Sequence, residues 1–500
     1  MTLRSSLGVA ASALAVAAAL AGCAVGPNYV RPSAPLSATF KEQPGWTVAA
    51  PADALDRGDW WALFGDPVLN GLAARVEVSN QNIAAAEAAY RQARALVSEQ
   101  RAALLPAVTL DGGATRSGGG SNRSAGTGTT TGTTTGTTTG GATGGTSTVV
   151  TSSRGSTYRV QLGASWEPDV WGRIRRTVEA ARADAQASEA DLAAARLSAQ
   201  GELATDYFLL READAEMALI RSTVEGYQRT LQITRNRYAA GVAPHSDVLQ
   251  QETQLANAQA DLAGLERTRA NFEHAIAVLV GEAPGNFTLP AGDWVQTAPE
   301  VPVGVPSTLL ERRPDIAAAE RRVASANAQI GVQTAGYFPN LTLSGDYGVS
   351  ASALGSLFSA SAAAWSVGLS AAQTLFDAGA TRARVTGARA AHEQAVAQYR
   401  QTVLTALQDV EDQLVAARIL AAQSALRLQA ANAAGQAETM VLNQYREGLV
   451  SYIEVVTAQA SSLSARRTAV QAAADRQTAA VALIQSLGGG WRSGSATPVR

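Results

Sequence analysis

Tyr158-Arg159-Val160-Gln161-Leu162-Gly163-Ala164-Ser165-Trp166 reads as a strand with two unlike faces. Tyr158, Val160, Leu162, Ala164 and Trp166 share one parity, with Arg159, Gln161, Gly163 and Ser165 between them. A period of two is that of a β-strand. Three more stretches alternate in this way. Val108 and Leu110 begin one. Leu341, Leu343, Tyr347 and Val349 share a parity in the second, with Thr342, Ser344, Asp346 and Gly348 between them. Trp365, Val367, Leu369 and Ala371 form the third, separated by Ser366, Gly368 and Ser370. A water-soluble sandwich has strands that look the same locally. Two features favour a transmembrane barrel. The strands run about ten residues, the length of a tilted bilayer crossing, and aromatics (Tyr158, Trp166, Trp365) sit at strand ends, as interfacial girdles do. Four strands do not close a barrel, the smallest of which has about eight, and open edges are not tolerated in lipid. Several copies must therefore share one barrel. A trimer supplies twelve strands, whereas a dimer's eight leave little or no lumen.

Outward from the strands, the chain repeats itself. Arg237-Tyr238-Ala239-Ala240-Gly241-Val242 through Asp247-Val248-Leu249 matches Gln444-Tyr445-Arg446-Glu447-Gly448-Leu449 through Glu454-Val455-Val456. Leu105-Pro106-Ala107-Val108-Thr109-Leu110 matches Phe338-Pro339-Asn340-Leu341-Thr342-Leu343. Each half runs helix, proline, strand, loop, strand, long helix, tight turn, helix, so duplication within one chain is the economical reading. Repeat one spans 67–282 and repeat two 307–488, divided by the proline-rich linker 283–306. The long helices run from about Arg173 to Asn236 and from about Thr381 to Asn443, without proline. At 1.5 Å per residue each is about 95 Å long. The shorter helices, roughly 68–104, 246–281, 307–336 and 453–487, sum in pairs to one long helix. Two short helices stacked end to end beside a long one would make a layer of even height. Val248, Leu255, Leu262 and Ile276 lie on a seven-residue step interrupted at Arg269, and Val456, Leu463, Val470 and Ile484 on one broken by Gln477, which predicts coiled-coil contacts.

Composition agrees with thin layers rather than a deep core. Five hundred residues would make about three ordinary domains, yet aromatics are only 5% and charged residues 16%. Forty basic residues against 42 acidic leave a net charge of −2, which removes the electrostatic case for nucleic acid. One cysteine excludes an internal disulfide, and three scattered histidines argue against a metal site. There is no phosphate loop, no G-x-S-x-G elbow and no metal-spaced cluster, so no enzyme is expected. Residues 117–150 are glycine and threonine of low complexity and are expected to form a disordered extracellular loop.

At the N-terminus, Arg4 precedes the apolar run Leu7 to Leu20, which ends in Leu20-Ala21-Gly22-Cys23. This suits a lipoprotein signal peptide over 1–22 that leaves Cys23 as the acylated first residue. The covalent lipid on Cys23 is the one attached group expected; no cofactor or metal is. By resemblance to enterobacterial lipoprotein sorting rules, Ala24 in place of aspartate favours the outer membrane.

The run Trp60-Trp61-Ala62-Leu63-Phe64-Gly65-Asp66-Pro67-Val68-Leu69 resembles the opening motif of the outer-membrane factors, the TolC-like and NodT-like efflux channels. Leu309-Leu310-Glu311-Arg312-Arg313-Pro314-Asp315-Ile316 resembles their second-half signature, Trp171-Gly172-Arg173-Ile174-Arg175-Arg176 their strand-to-helix junction, and Cys23 through Tyr29 the start of lipidated members. The resemblance implies an α+β membrane protein: a homotrimer with a twelve-stranded transmembrane β-barrel continued by a long periplasmic α-helical barrel. A small mixed equatorial domain would come from the extension 23–66, the linker 283–306 and the tail 489–500. The implied function is passive exit duct of a tripartite exporter, with a periplasmic adaptor (membrane fusion protein) and an inner-membrane pump of the resistance-nodulation-division type as partners.

The resemblance further places Tyr238, Asp247, Tyr445, Ile453, Glu454 and Thr457 at a periplasmic gate. Thr457 departs from the family pattern, where aspartate is common. Read without the family, Ser246 or Asp247 would cap the following helix, Gly241 and Gly448 would end the preceding ones, and Pro314 would start a helix with Asp315 in its first turn. The rival reading is a trimeric coiled-coil surface adhesin with a membrane β-barrel. Its strands would be contiguous and C-terminal, whereas here two strand pairs lie far apart.

Overall fold

The computed structural model describes residues 24–34, 39–42, 59–117, 155–292, 294–296, 298–299 and 312–489. Cys23 with the signal segment 1–22, nearly all of the 117–150 loop, 300–306 of the linker and 490–500 of the tail lie outside the described residues. The chain divides into two compact units, each drawing on both repeats.

The first unit (Met1–Val25, Glu99–Arg175, Thr334–Thr381) holds one antiparallel sheet: β1 (Ala107–Ser117), β2 (Gly155–Trp166), β3 (Asn340–Ala351) and β4 (Ala363–Ala372), in that order. Its register lines up Leu110, Leu162, Tyr347 and Trp365 across all four strands. Val108, Ala164, Gly345 and Val367 form the next row. Along these rows the face is apolar, with Arg116 and Ser156 at its far end, and it is bare: Leu110 is 72% exposed, Trp365 76% and Val367 71%. On the opposite face Gln161 Nε2 donates to Asp346 Oδ1 at 2.8 Å, and Ser366 Oγ donates to the other oxygen at 3.4 Å. Where β2 leads into the next helix, Trp171 stacks on Phe338 (ring centroids 4.8 Å) and donates to Pro339 O at 2.9 Å.

The second unit (Gly26–Ser98, Arg176–Gln333, Arg382–Arg500) is helical. Among the described residues the α-helices are α1 (Pro67–Ser79), α2 (Gln81–Ala102), α3 (Arg173–Ala239), α4 (His245–Leu279), α5 (Pro314–Thr334), α6 (Ala380–Arg446) and α7 (Tyr452–Ser486). Both long helices have 67 residues, and α4 and α7 each have 35. All start and end 207 positions apart, so no insertion separates the repeats from β2 onward. No helix among the described residues is long and apolar enough to cross a membrane.

The expected single helix over 68–104 is two helices. Asn80 is extended (φ −68°, ψ 125°) and breaks the run. Its side chain accepts from the backbone N–H groups of Asn82 and Ile83, capping α2, and donates to Leu279 O at 2.8 Å, the last residue of α4. A single buried side chain thus caps one helix and satisfies the free carbonyl at the end of another where the two abut. The second repeat makes the same joint with a different side chain. Arg313, immediately before α5, donates to Ser486 O at 3.1 Å at the end of α7, and pairs with Asp315 and Asp409. Pro314 does start α5, with Asp315 in its first turn. Gly281 and Gly488 turn with φ of 73° and 91°, and a Cβ on either would overlap the carbonyl of Ser79 or Arg312.

The core lies where these joints meet α3 and α6. Trp60, Phe64, Tyr207, Phe208, Ile276, Ile316, Tyr399 and Leu483 belong to one buried cluster. Phe64 packs on Phe208 (4.9 Å), and Trp60 donates to Gln200. Tyr207 OH donates to Asp66 Oδ2 at 2.6 Å, while Asp66 also caps α1. The tryptophan-rich motif thus clamps α1 onto the middle of α3.

Candidate functional site: the helix-turn tips

Each long helix ends in a tight turn that reverses the chain into its partner. Val242 N donates to Arg237 O and Gly241 N to Tyr238 O, at 3.0 and 2.9 Å; Leu449 N and Gly448 N do the same to Gln444 O and Tyr445 O. This is a Schellman cap, and it needs the left-handed conformation that Gly241 (φ 74°) and Gly448 (φ 79°) supply. The helices leaving the turns are capped differently. Ser451 and Glu454 form a capping box on α7. Pro244 precedes α4 with no side-chain cap, so neither Ser246 nor Asp247 does the capping; Asp247 sits in the first turn, where the helix dipole favours an acid.

A ring pair stabilises each turn. Tyr238 packs on His245 (5.0 Å) in repeat one, and Tyr445 on Tyr452 (5.5 Å) in repeat two. The environments differ. Tyr238 is 47% exposed, whereas Tyr445 and Tyr452 are buried, because repeat one covers them. The Arg237 guanidinium lies 4.6 Å from the Tyr445 ring centre, and Arg237 Nη1 donates to Tyr445 O at 2.9 Å. Tyr452 OH donates to Gln251 Oε1, and Gln251 Nε2 donates to Tyr227 O at 3.1 Å. Burial raises the Tyr452 hydroxyl far above its ordinary pKa, with Tyr445 and Asp247 adding to the effect. Burial likewise raises Tyr227, to about 12.

The structure therefore buries Tyr445 in this cluster, with Asp247 close enough to act on its hydroxyls electrostatically, and leaves the other expected gate residues outside it. Ile453 is 56% exposed. Glu454 turns back on Ser451, and Thr457 Oγ1 donates to the carbonyl of Ile453 within its own helix. Sequence reading missed Arg237, Gln251 and Tyr452, which lock the two repeats together. The signal available was divergence at matched positions: Arg237 aligns with Gln444 and Gln251 with Ala458.

A sheet with a bare apolar face, attached to helices of 67 residues that end in paired turns, is the protomer of a channel that meets the membrane through β-strands. The chain belongs to the outer membrane efflux protein family, whose model matches residues 72–282 and 305–489. It is similar to the outer membrane protein OprJ of Pseudomonas aeruginosa, 28% identical over 97% of this chain and 96% of that one. It is also similar to the pyoverdine export outer membrane protein OpmQ of the same species, 29% identical over 92% and 94%. Among solved structures it resembles the outer-membrane channel OprN, 32% identical, with a TM-score of 0.81 over 94% of this chain and all of that one. The protein is an outer-membrane efflux channel and not an enzyme, and the family membership displaces the adhesin reading.

Proposed function

We propose that three copies assemble into the duct through which a tripartite efflux pump discharges across the outer membrane. The observation that carries this is the sheet: its apolar face is exposed, its polar face carries Asp111, Gln161 and Asp346, and β1 and β4 each have a neighbour on one side only. Three such sheets close a twelve-stranded barrel with lipid outside and water inside. The helices continue it toward a periplasmic adaptor and a resistance-nodulation-division pump. Cargo passes passively, and selectivity resides in the pump.

Cys23 carries the lipid in this reading. The residues that follow it are held rather than trailing. Val25 N donates to Trp171 O at 3.0 Å beside the base of the sheet. Within the helical unit, Tyr29 OH donates to Glu320 at 2.6 Å and Asn327 to Pro27 O at 3.0 Å. Mass spectrometry of the mature N-terminus reads the acylation directly.

The tips form the gate, with Asp247 and Glu454 as its acids and Tyr238, Tyr445, Ile453 and Thr457 around them. The test is native mass spectrometry in detergent followed by conductance in planar bilayers. A trimer with small conductance that Asp247→Lys and Glu454→Lys enlarge is expected, while Ser451→Ala, which removes the cap but keeps the charge, leaves conductance low. A stable monomer without conductance would end the proposal.

A further inference from the structure

We propose that β4 of one copy continues into β1 of the next in a single register, with Leu369 opposite Ala114 and Ser370 opposite Gly113 of the neighbouring copy. The proposal rests on the trimeric reading above and goes beyond it by fixing which residues meet at the seam.

The register follows from the duplication. Leu110 lies opposite Leu162 in the β1–β2 pair, and Leu343 lies opposite Leu369 in the β3–β4 pair. Leu343 is the repeat mate of Leu110 in the matched Leu-Pro and Phe-Pro segments, so Leu369 is the mate of Leu162. That spacing, 207 residues, is the one that separates Tyr238 from Tyr445 and the first residue of α3 from that of α6. Strands and helices thus give the same repeat operator independently. The β2–β3 pair joins the end of repeat one to the start of repeat two, and there Leu162 lies opposite Tyr347 and Gly163 opposite Asp346. At the open edges the repeat mates of these four residues are Leu369, Ala114, Ser370 and Gly113. Applying the same operator along the edge sets Gly368 opposite Thr115 and Ala371 opposite Gly112.

Faces are preserved throughout. Val367, Leu369 and Ala371 of the bare face meet Arg116, Ala114 and Gly112, which belong to the same face of β1. A slip of one residue would turn every side chain to the wrong side. A slip of two keeps the faces but abandons the repeat operator. The seam lacks one contact that the junction inside the chain has. The mates of Trp171 and Phe338 are Ala378 and Leu105, so no aromatic stack bridges neighbouring copies there.

Cysteine cross-linking in the full-length membrane protein tests the register. Residues directly opposite have Cα atoms about 4.5–5.5 Å apart, inside the range a disulfide spans, whereas Cα separations above about 7 Å are outside it. Ser370→Cys with Gly113→Cys, and Leu369→Cys with Ala114→Cys, are adjacent pairs, so one of them is of the closer, non-hydrogen-bonded kind. Ser370→Cys with Asp111→Cys or with Thr115→Cys are the shifted controls. Within one copy these positions lie on opposite edges, three strand spacings of about 4.8 Å apart, so any link joins copies and shows as dimer and trimer bands on non-reducing gels. Mild oxidation is expected to link at least one direct pair more than tenfold faster than either shifted pair. Faster linking of a shifted pair overturns the register and leaves the trimer standing. No link from any pair, in protein that native mass spectrometry weighs as a trimer, also overturns it. A monomer by mass removes the parent reading as well.

Discussion

Arg237→Met tests whether the contact between the two helix pairs holds the tip closed. The substitution keeps the aliphatic stem and removes the guanidinium that covers the Tyr445 ring at 4.6 Å and donates to Tyr445 O at 2.9 Å. A cation–π contact on a buried ring is worth about 1–2 kcal/mol, and a hydrogen bond from a charged donor about 1.5–3 kcal/mol. Against these stands the desolvation of a largely buried guanidinium whose Nε has no partner among the described residues. A net of about 2 kcal/mol per chain is a reasonable balance, and at 1.4 kcal/mol per tenfold it corresponds to about a 30-fold shift toward the open tip. The assay is single-channel recording in planar bilayers, without adaptor, beside a thermal melt of the same preparation. The expected result is a rise in open probability of about that size with only a small change in melting temperature. A lower melting temperature with unchanged conductance would make Arg237 a packing residue and refute its part in gating.

In the proposed trimer, Gln444→Arg would place between copies the guanidinium that Arg237 supplies within a chain, toward the exposed Tyr238, and should lower conductance in the same recordings. Asn80→Ala removes a helix cap and leaves Leu279 O without its buried donor, for a loss of about 2–4 kcal/mol in thermal or denaturant unfolding; Asn80→Asp, which keeps the cap alone, should recover part of it. Burial, with Glu216 and Asp475 nearby, raises Glu212 from 4.5 to about 7. A carboxyl whose folded pKa is raised disfavours the folded state as pH climbs from its ordinary value through the raised one. Glu212→Gln should therefore raise the melting temperature above pH 7, leave it unchanged near pH 4, and flatten the profile between.

The strands and long helices were legible because periodicity and length are local properties. Alternating parity placed all four strands, and the proline-free stretches came within about three residues of α3 and α6 at each end. The break at Asn80 was not read, although an asparagine before a fresh helical turn is the ordinary signature of a cap. Its purpose is a hydrogen bond to Leu279, far along the chain, which local pattern does not contain. The tip was half legible for the same reason. The glycines and ring positions repeat and could be aligned, whereas Arg237 and Gln251 act on the other repeat. Their contacts depend on how two helix pairs sit against each other. Ser246 and Asp247 looked like caps of α4 by residue type, yet Pro244 already supplies the extended N-cap conformation there, and a capping box forms only at the matching end of α7, from Ser451 and Glu454.

Duplication makes geometry common to both halves and leaves each half free to differ in chemistry. The shared features are those that backbone geometry demands: Gly241 with Gly448, Gly281 with Gly488, and a ring pair at each turn. The differences fall where one half touches the other. Arg237 answers to Gln444, Gln251 to Ala458, Trp171 to Ala378 and Phe338 to Leu105. In each case the contact made inside the chain uses the larger or charged member, and the mate that would face a neighbouring copy is smaller or neutral. In the trimer proposed above the junctions alternate between these two kinds. The strong ones hold two helix pairs as one body, and the weak ones lie between bodies. In that trimer a chain's two helix pairs part only when the Arg237 contact on Tyr445 breaks, so Arg237→Met acts on the stronger of the two kinds of junction.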